Sequence, residues 1–355
     1  MSQIEAFHGG AFFDAIGVDL RHLERSANVI SADVLDAWFD PSPRVIALLR
    51  EYLPFLLRTS PPNHAEGFVQ EVARLRGVAA ECVLPGSGSS SLLFACLPRL
   101  LPEGCRALLF DPMYSEYEHI AGRLMRGEVL RHTLSPDNGF AVDAHALLAD
   151  VIRLRPDALL LVNPNNPTGR LWPRASILPF LDQLPPSVLT VIDETYLEYT
   201  GAESLEGEAA RRPNLIVIKS MSKVYALSGA RVAYLVTHPD RAELLRPWLP
   251  PWPVGLLAQA AAMEALRDPG YYAARYAETQ ALREGMAASL AQLSPFPSSA
   301  NFFLIRPRRP AVLAAHARGQ EIFLREFRSG LLAGEYLRIS VKDAAQNARI
   351  VGALR

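Results

Sequence analysis

Residues 158–169 read ALLLVNPNNPTG. The first part, ALLLVNP (158–164), is a continuous apolar run that ends on Asn and Pro. A run that does not alternate suits a strand covered on both faces, the usual state of a strand in a parallel sheet. Four more runs have the same form: RALLFD (106–111), VLTVIDE (188–194), LIVIKS (215–220) and RVAYLV (231–236). Helical patterns lie between most of them, such as SSLLFACLPRLL after a glycine stretch and AHALLADVIRLR before residue 158. This rhythm predicts an α/β protein, a mainly parallel sheet flanked by helices.

The ends of these runs carry the chemistry. They lead in turn into DPMYSEY, NPNNPTG, DETYLEY and SMSK. Ligands of open parallel sheets bind beyond the carboxyl ends of the strands. Polar, aromatic and nucleophilic residues collect at that edge, so it is the expected site.

The texture changes near residue 250. PPWPVGLLAQAAAMEALRDPGYYAARYAETQALREGMAASLAQL reads as one long helix after a proline-rich start. ANFFLIR and YLRISV then read as strands of a smaller α+β lobe. The expected division is a large domain over 45–250 and a small domain made of 1–44 with 251–355.

Composition narrows the function classes. A chain of 355 residues with a formal net charge of -1 has no basic field for nucleic acid. No apolar run reaches membrane-spanning length, and MSQIEAFHGG lacks a secretion-signal pattern. Three cysteines, Cys82, Cys96 and Cys105, form no CxxC pair, which suits a reducing cytoplasm and gives no metal site.

Basic residues are unevenly chosen. Of 36, only Lys219, Lys223 and Lys342 are lysines. Arginine carries the same charge, but only lysine yields a free amine that condenses with a carbonyl. Two of the three lie in IKSMSKVYALSGAR (218–231), beside small hydroxyl residues. The stretch LPGSGSSSLLF (84–94) adds Gly86, Gly88 and a serine-opened helix, an anion cradle strengthened by the helix dipole. It matches neither GxGxxG nor a GxxxxGK loop. The Asn–Pro pairs of NPNNPTG make rigid turns that present Asn166, with a cis bond allowed. In DETYLEY, Asp193 ends an apolar strand, where a carboxylate needs a cation or several donors. Pyridoxal phosphate answers all of these: it needs an amine, an acid for its pyridine nitrogen, donors to its phenolic oxygen and a phosphate cup.

Together the motifs NNPTG, DETY, and SMSK followed by Arg231 resemble fold-type-I pyridoxal-phosphate enzymes of the class I/II aminotransferase family. The likeness is greatest to the branch of histidinol-phosphate aminotransferase and threonine-phosphate decarboxylase, and runs from about His8 to the C-terminus. It implies that Lys223 forms the Schiff base with pyridoxal 5'-phosphate and that Asp193 faces the ring nitrogen. Asn166 and Tyr196 would hold the phenolic oxygen, and Tyr114 would stack on the ring. Gly88, Ser89, Ser90, Ser220, Ser222 and Arg231 would cup the phosphate. Arg338 would grip the substrate's anionic end, with His8, Arg325 and Asn301 shaping the pocket. Lys219 would be auxiliary. The implied activity is transamination of an amino acid or related amine with a 2-oxo acid acceptor, by a cytoplasmic homodimer. The alternatives are a decarboxylase resembling threonine-phosphate decarboxylase and a cofactor-binding protein without turnover.

Two segments depart from the branch. Arg58-Thr59-Ser60-Pro61 lacks the tyrosine that reaches the neighbouring subunit's cofactor in relatives. SADVLDAWFDPSP (31–43) replaces an Asn-rich loop and carries Asp33, Asp36 and Asp40. A close, poorly solvated aspartate would repel a doubly anionic substrate.

Overall fold

The computed structural model describes residue 10 and residues 12–355, so His8 lies outside the described residues. Eleven strands are described: β1 Ile30–Ala32, β2 Val83–Gly86, β3 Arg106–Asp111, β4 Glu128–Thr133, β5 Ala158–Val162, β6 Leu189–Asp193, β7 Leu215–Ser220, β8 Ala233–Thr237, β9 Phe302–Ile305, β10 Ile322–Glu326 and β11 Leu337–Ser340. Seven make one sheet in the order β2-β8-β7-β6-β5-β3-β4, and four make a second in the order β1-β10-β11-β9.

The large sheet follows from its apolar runs. Every residue of β5, β6, β7 and β8 is buried, because helices cover both faces. The bonds β4–β3, β3–β5, β5–β6 and β6–β7 are parallel, as the sequence predicts. The run RVAYLV departs from that expectation, since β8 is antiparallel to both β7 and β2. Its link to β7 holds only the four-residue helix Met221–Val224, too short for the crossover that a parallel return requires. The sequence reading also missed β4 at the sheet edge. Its residues alternate in burial instead of forming an apolar block.

The predicted single helix after residue 250 is two, Leu256–Leu266 and Pro269–Ser289. The break falls at Asp268–Pro269, because proline fits the first turn of a helix but not its interior. In the small sheet, β1 lies parallel to β10, which ties the N-terminal segment to the C-terminal third. Cys82, Cys96 and Cys105 are buried and free. Among the described residues no helix is long and apolar enough to cross a membrane.

Candidate active site

The sheet register aligns the chemistry. Asp193 at the end of β6 is the cross-strand partner of Val162 on β5 and of Ile218 on β7. The residues just beyond these ends therefore emerge side by side: Asn163–Asn166 after β5, Thr195 and Tyr196 after β6, Ser222 and Lys223 after β7. A cavity of about 340 Å³ opens there. Lys223, Asp193, Asn166, Tyr196, Tyr114, Ser89, Ser90, Ser220, Ser222, Arg231, Arg325 and Arg338 all line it. Three X–Pro bonds at this edge are cis: Asp111–Pro112, Asn163–Pro164 and Asn166–Pro167.

The two neighbouring lysines part company. Lys219, still within β7, is buried between Glu198 at 2.8 Å and Glu194 at 3.4 Å. Burial works against its charge, but Glu198, Glu194 and Glu206 outweigh it and raise the amine above its ordinary range. It is a locked cation outside the cavity. Lys223 sits one helical turn further on and reaches the cavity wall. Its Nζ donates to Asp36 Oδ1 at 2.6 Å.

Asp193 is 5% exposed. Burial pushes its carboxyl up, against the lowering effect of hydrogen bonds from Thr195 and Tyr117. Tyr117 OH donates to Oδ2 at 2.9 Å, while Thr195 N and Oγ1 donate to Oδ1 at 2.9 and 2.5 Å. These neutral donors aim the carboxylate but leave its charge without a cation, so the site is suited to a positively charged ring nitrogen. Tyr117 was not among the residues picked from the sequence. Its signal was its place beside Tyr114 in DPMYSEY.

Asn166 Nδ2 donates to Tyr196 OH at 3.3 Å, and Arg338 Nη1 donates to Asn166 Oδ1 at 2.7 Å. Arg338 Nη2 donates to the Asp33 carbonyl at 2.7 Å, and its buried Nε has no hydrogen-bond partner. Burial lowers the Arg338 guanidinium to about 10, so it remains a cation at neutral pH. Arg325 and Arg338 are direct cross-strand partners in the antiparallel pair β10–β11. Asp33, 4% exposed, lines the same wall. Tyr114 OH donates to Glu116 Oε2 at 2.9 Å.

The anion cup joins two segments. Gly88 caps the helix Ser89–Leu100, whose first residues Ser89 and Ser90 face the cavity. Across from it, Arg231 Nη1 donates to Ser222 Oγ at 3.3 Å and to the Ser228 carbonyl at 3.0 Å. Asn301 does not join the cavity wall. It is fully buried, and its Nδ2 donates to the Leu35 carbonyl at 3.0 Å, which fixes the 31–43 segment from behind. Thr59 is not among the lining residues either.

A lysine, a buried acid and an anion cup on the C-terminal edge of a parallel sheet define a fold-type-I pyridoxal-phosphate transferase. The family model for aminotransferase class I and II matches residues 34–354. Histidinol-phosphate aminotransferase 1 of Burkholderia pseudomallei is 35% identical over 328 residues, covering 89% of each chain. Histidinol-phosphate aminotransferase from Sinorhizobium meliloti, solved in complex with pyridoxal-5'-phosphate, superposes with a TM-score of 0.82 at 24% identity, over 97% of this chain and 95% of that one. L-threonine-O-3-phosphate decarboxylase from Porphyromonas gingivalis gives 0.80 at 26% identity, over 92% and 98%. The chain belongs to the aminotransferase class I and II family and is a pyridoxal-phosphate-dependent aminotransferase.

The residues present fit the cofactor. A Cβ on Gly88, whose φ is +89°, would overlap Arg231 Nη2, so the glycine keeps the cup open for the guanidinium. The buried acid awaiting a cation and the single cavity-lining lysine match the ends of the ring that each must serve.

Proposed function

We propose that the chain transaminates amino acids that bear one carboxylate at the reacting end, with Lys223 as the cofactor-bearing amine. The wall made by Arg325, Arg338 and Asp33 carries this reading. Two positive charges less one negative leave a net single charge, which suits a carboxylate better than a phosphate dianion. The relatives named for histidinol phosphate make that amine the reference substrate.

Pyridoxal phosphate, once bound, supplies an aldehyde carbon and an electron-withdrawing ring. Asp193 would keep a proton on the ring nitrogen. Asn166 and Tyr196 would hold the phenolic oxygen, Tyr114 would cover the ring, and Ser89, Ser90, Ser220, Ser222 and Arg231 would take the phosphate. Arg338 and Arg325 would orient the substrate carboxylate. Once displaced, Lys223 Nζ would move the proton from the substrate Cα. Asn301 acts on this pocket only through the Leu35 loop.

The test is direct. Borohydride reduction of the loaded chain should fix the cofactor on Lys223, as read by peptide mass. With a 2-oxo acid acceptor, monocarboxylate amino acids should give a higher kcat/KM than histidinol phosphate, and yield a keto acid without carbon dioxide. A preference for the phosphate ester would overturn the substrate reading. Carbon dioxide without keto acid would place the reaction with decarboxylation.

We further propose that a large lobe over 45–250 and a small lobe of 1–44 with 251–355 meet at this cavity. The β1–β10 pairing supports joining the two ends in one lobe. The helix Pro43–Arg58 exposes Tyr52, Leu53, Phe55 and Leu57, which a second copy of the chain would cover. Light scattering should give twice the chain mass, and Leu57→Asp should shift it toward monomer.

A further inference from the structure

Asp36 is not among the residues that line the cavity, yet its carboxylate holds the one amine that is. Its Oδ1 accepts from Lys223 Nζ and from Ser228 Oγ, both at 2.6 Å. Nζ and the Ser228 hydroxyl are themselves 3.5 Å apart, so the three groups close a triangle. Ser228 is fixed by the turn that builds the anion cup, since its carbonyl accepts from Arg231 Nη1 at 3.0 Å. Asp36 arrives from the other side on the 31–43 segment. That segment is pinned on both flanks of the aspartate, by Asn301 on the Leu35 carbonyl and by Trp38 Nε1 on Thr279 Oγ1 at 2.8 Å.

The charged and titratable groups facing Asp36 are Lys223, Lys342, Tyr196 and Tyr199, and Asp33 on its own segment shares Lys342 with it. Burial raises the Asp36 carboxyl, but Lys223, Ser228 and Lys342 outweigh it and hold it below the ordinary carboxylate range. The group is thus an anion at neutral pH, able to hold the Lys223 amine by charge as well as by its hydrogen bond.

Resting on the assignment of Lys223 as the cofactor amine, we propose that Asp36 is the positioning residue of Lys223: its carboxylate, fixed by Ser228, seats Nζ at the cavity wall. Its hydrogen bond to Nζ makes the lysine the group through which Asp36 acts.

The readout is acylation of Lys223 by acetic anhydride in the full chain freed of cofactor, followed by peptide mass from pH 6 to pH 10. Only the unprotonated amine reacts. In Asp36→Asn, Lys223 should label roughly five- to tenfold faster at neutral pH, the excess shrinking as pH rises and the free amine prevails in both proteins. Asp36→Glu should return the profile toward wild type. Ser228→Ala should shift it the same way by roughly twofold, and decides the matter should Asp36→Asn fail to fold. Identical profiles overturn the proposal. So does an excess that stays constant at every pH, which is the mark of a loosened segment. The measurement is made without cofactor. A chain that forms no reducible adduct at Lys223 therefore overturns the cofactor assignment and leaves this profile to be judged by itself.

Discussion

Arg325 and Arg338 face each other as register partners on antiparallel strands β10 and β11, both on the cavity wall. Like charges directly opposite destabilise a sheet by a few tenths to about 1 kcal/mol, a cost that Asp33 on the same wall offsets and that the substrate carboxylate of the proposed reading would offset further. Arg338→Met should raise KM for the carboxylate substrate by at least about tenfold, with kcat changed less, because uniform binding is what it removes. Arg325→Met should raise KM by a smaller factor, since Arg338 also loses its bond to Asn166 when it is replaced. Steady-state kinetics of both variants check this. An unchanged KM in Arg338→Met would remove it from substrate binding.

Lys219 and Lys223 make opposite predictions. Lys219→Met leaves Glu194 and Glu198 without their lysine in a buried setting. Breaking a buried pair costs about 3–5 kcal/mol, so urea unfolding should show a large loss of stability. The folded fraction should still form a borohydride-stable adduct. Lys223→Ala should lose much less stability, because its partner Asp36 is partly exposed, and should form none.

Asp193→Asn tests the acid under the ring. The buried Tyr117 and Thr195 donors stay, but the negative charge goes. Turnover should fall by about 3–5 kcal/mol of transition-state stabilisation, the scale of a lost buried charge partner. The cofactor-free melting temperature should not fall with it, because that protein carries no cation for Asp193 to balance and burial works against the charge that is removed.

Lys342 gives a pH prediction. It is 7% exposed, and burial lowers its amine from the ordinary 10.5 to about 8, against the pull of Asp36 and Asp33. The unfolded chain therefore binds more protons than the folded one between about 8 and 10.5, and stability from this residue rises with pH across that window. Below it, the folded state carries the full cost of a buried ammonium. Lys342→Met should stabilise the chain by about 3 kcal/mol at pH 7, and the gain should vanish above pH 10.5. Urea titrations at several pH values check the trend. A gain that grows with pH would reverse the assignment.

Much of this protein was legible before any fold was known. The continuous runs around 106–111, 158–162, 189–193 and 215–220 became adjacent parallel strands, because block hydrophobicity has few other uses at that length. Lys223, Asp193, Asn166 and Tyr196 could be picked because each stands at or just past the end of such a run, whereas Ser89 and Ser90 were marked by the glycines before them. RVAYLV was misread in direction, since an apolar block carries no sign of which way it runs.

What the sequence determined by itself was local: which segments must be buried on both faces, where turns must end them, and which residue types wait at those ends. Only the tertiary structure decided the partners. It set Asp36 on Lys223, 187 positions away, and Arg338 on Asn166, 172 positions away. It sent Asn301 behind the Leu35 loop and shut Lys219 among glutamates. The reason is physical: hydrophobic patterning fixes burial along the chain, but the pairing of charges depends on which strands lie side by side and how far each side chain can reach across the cavity.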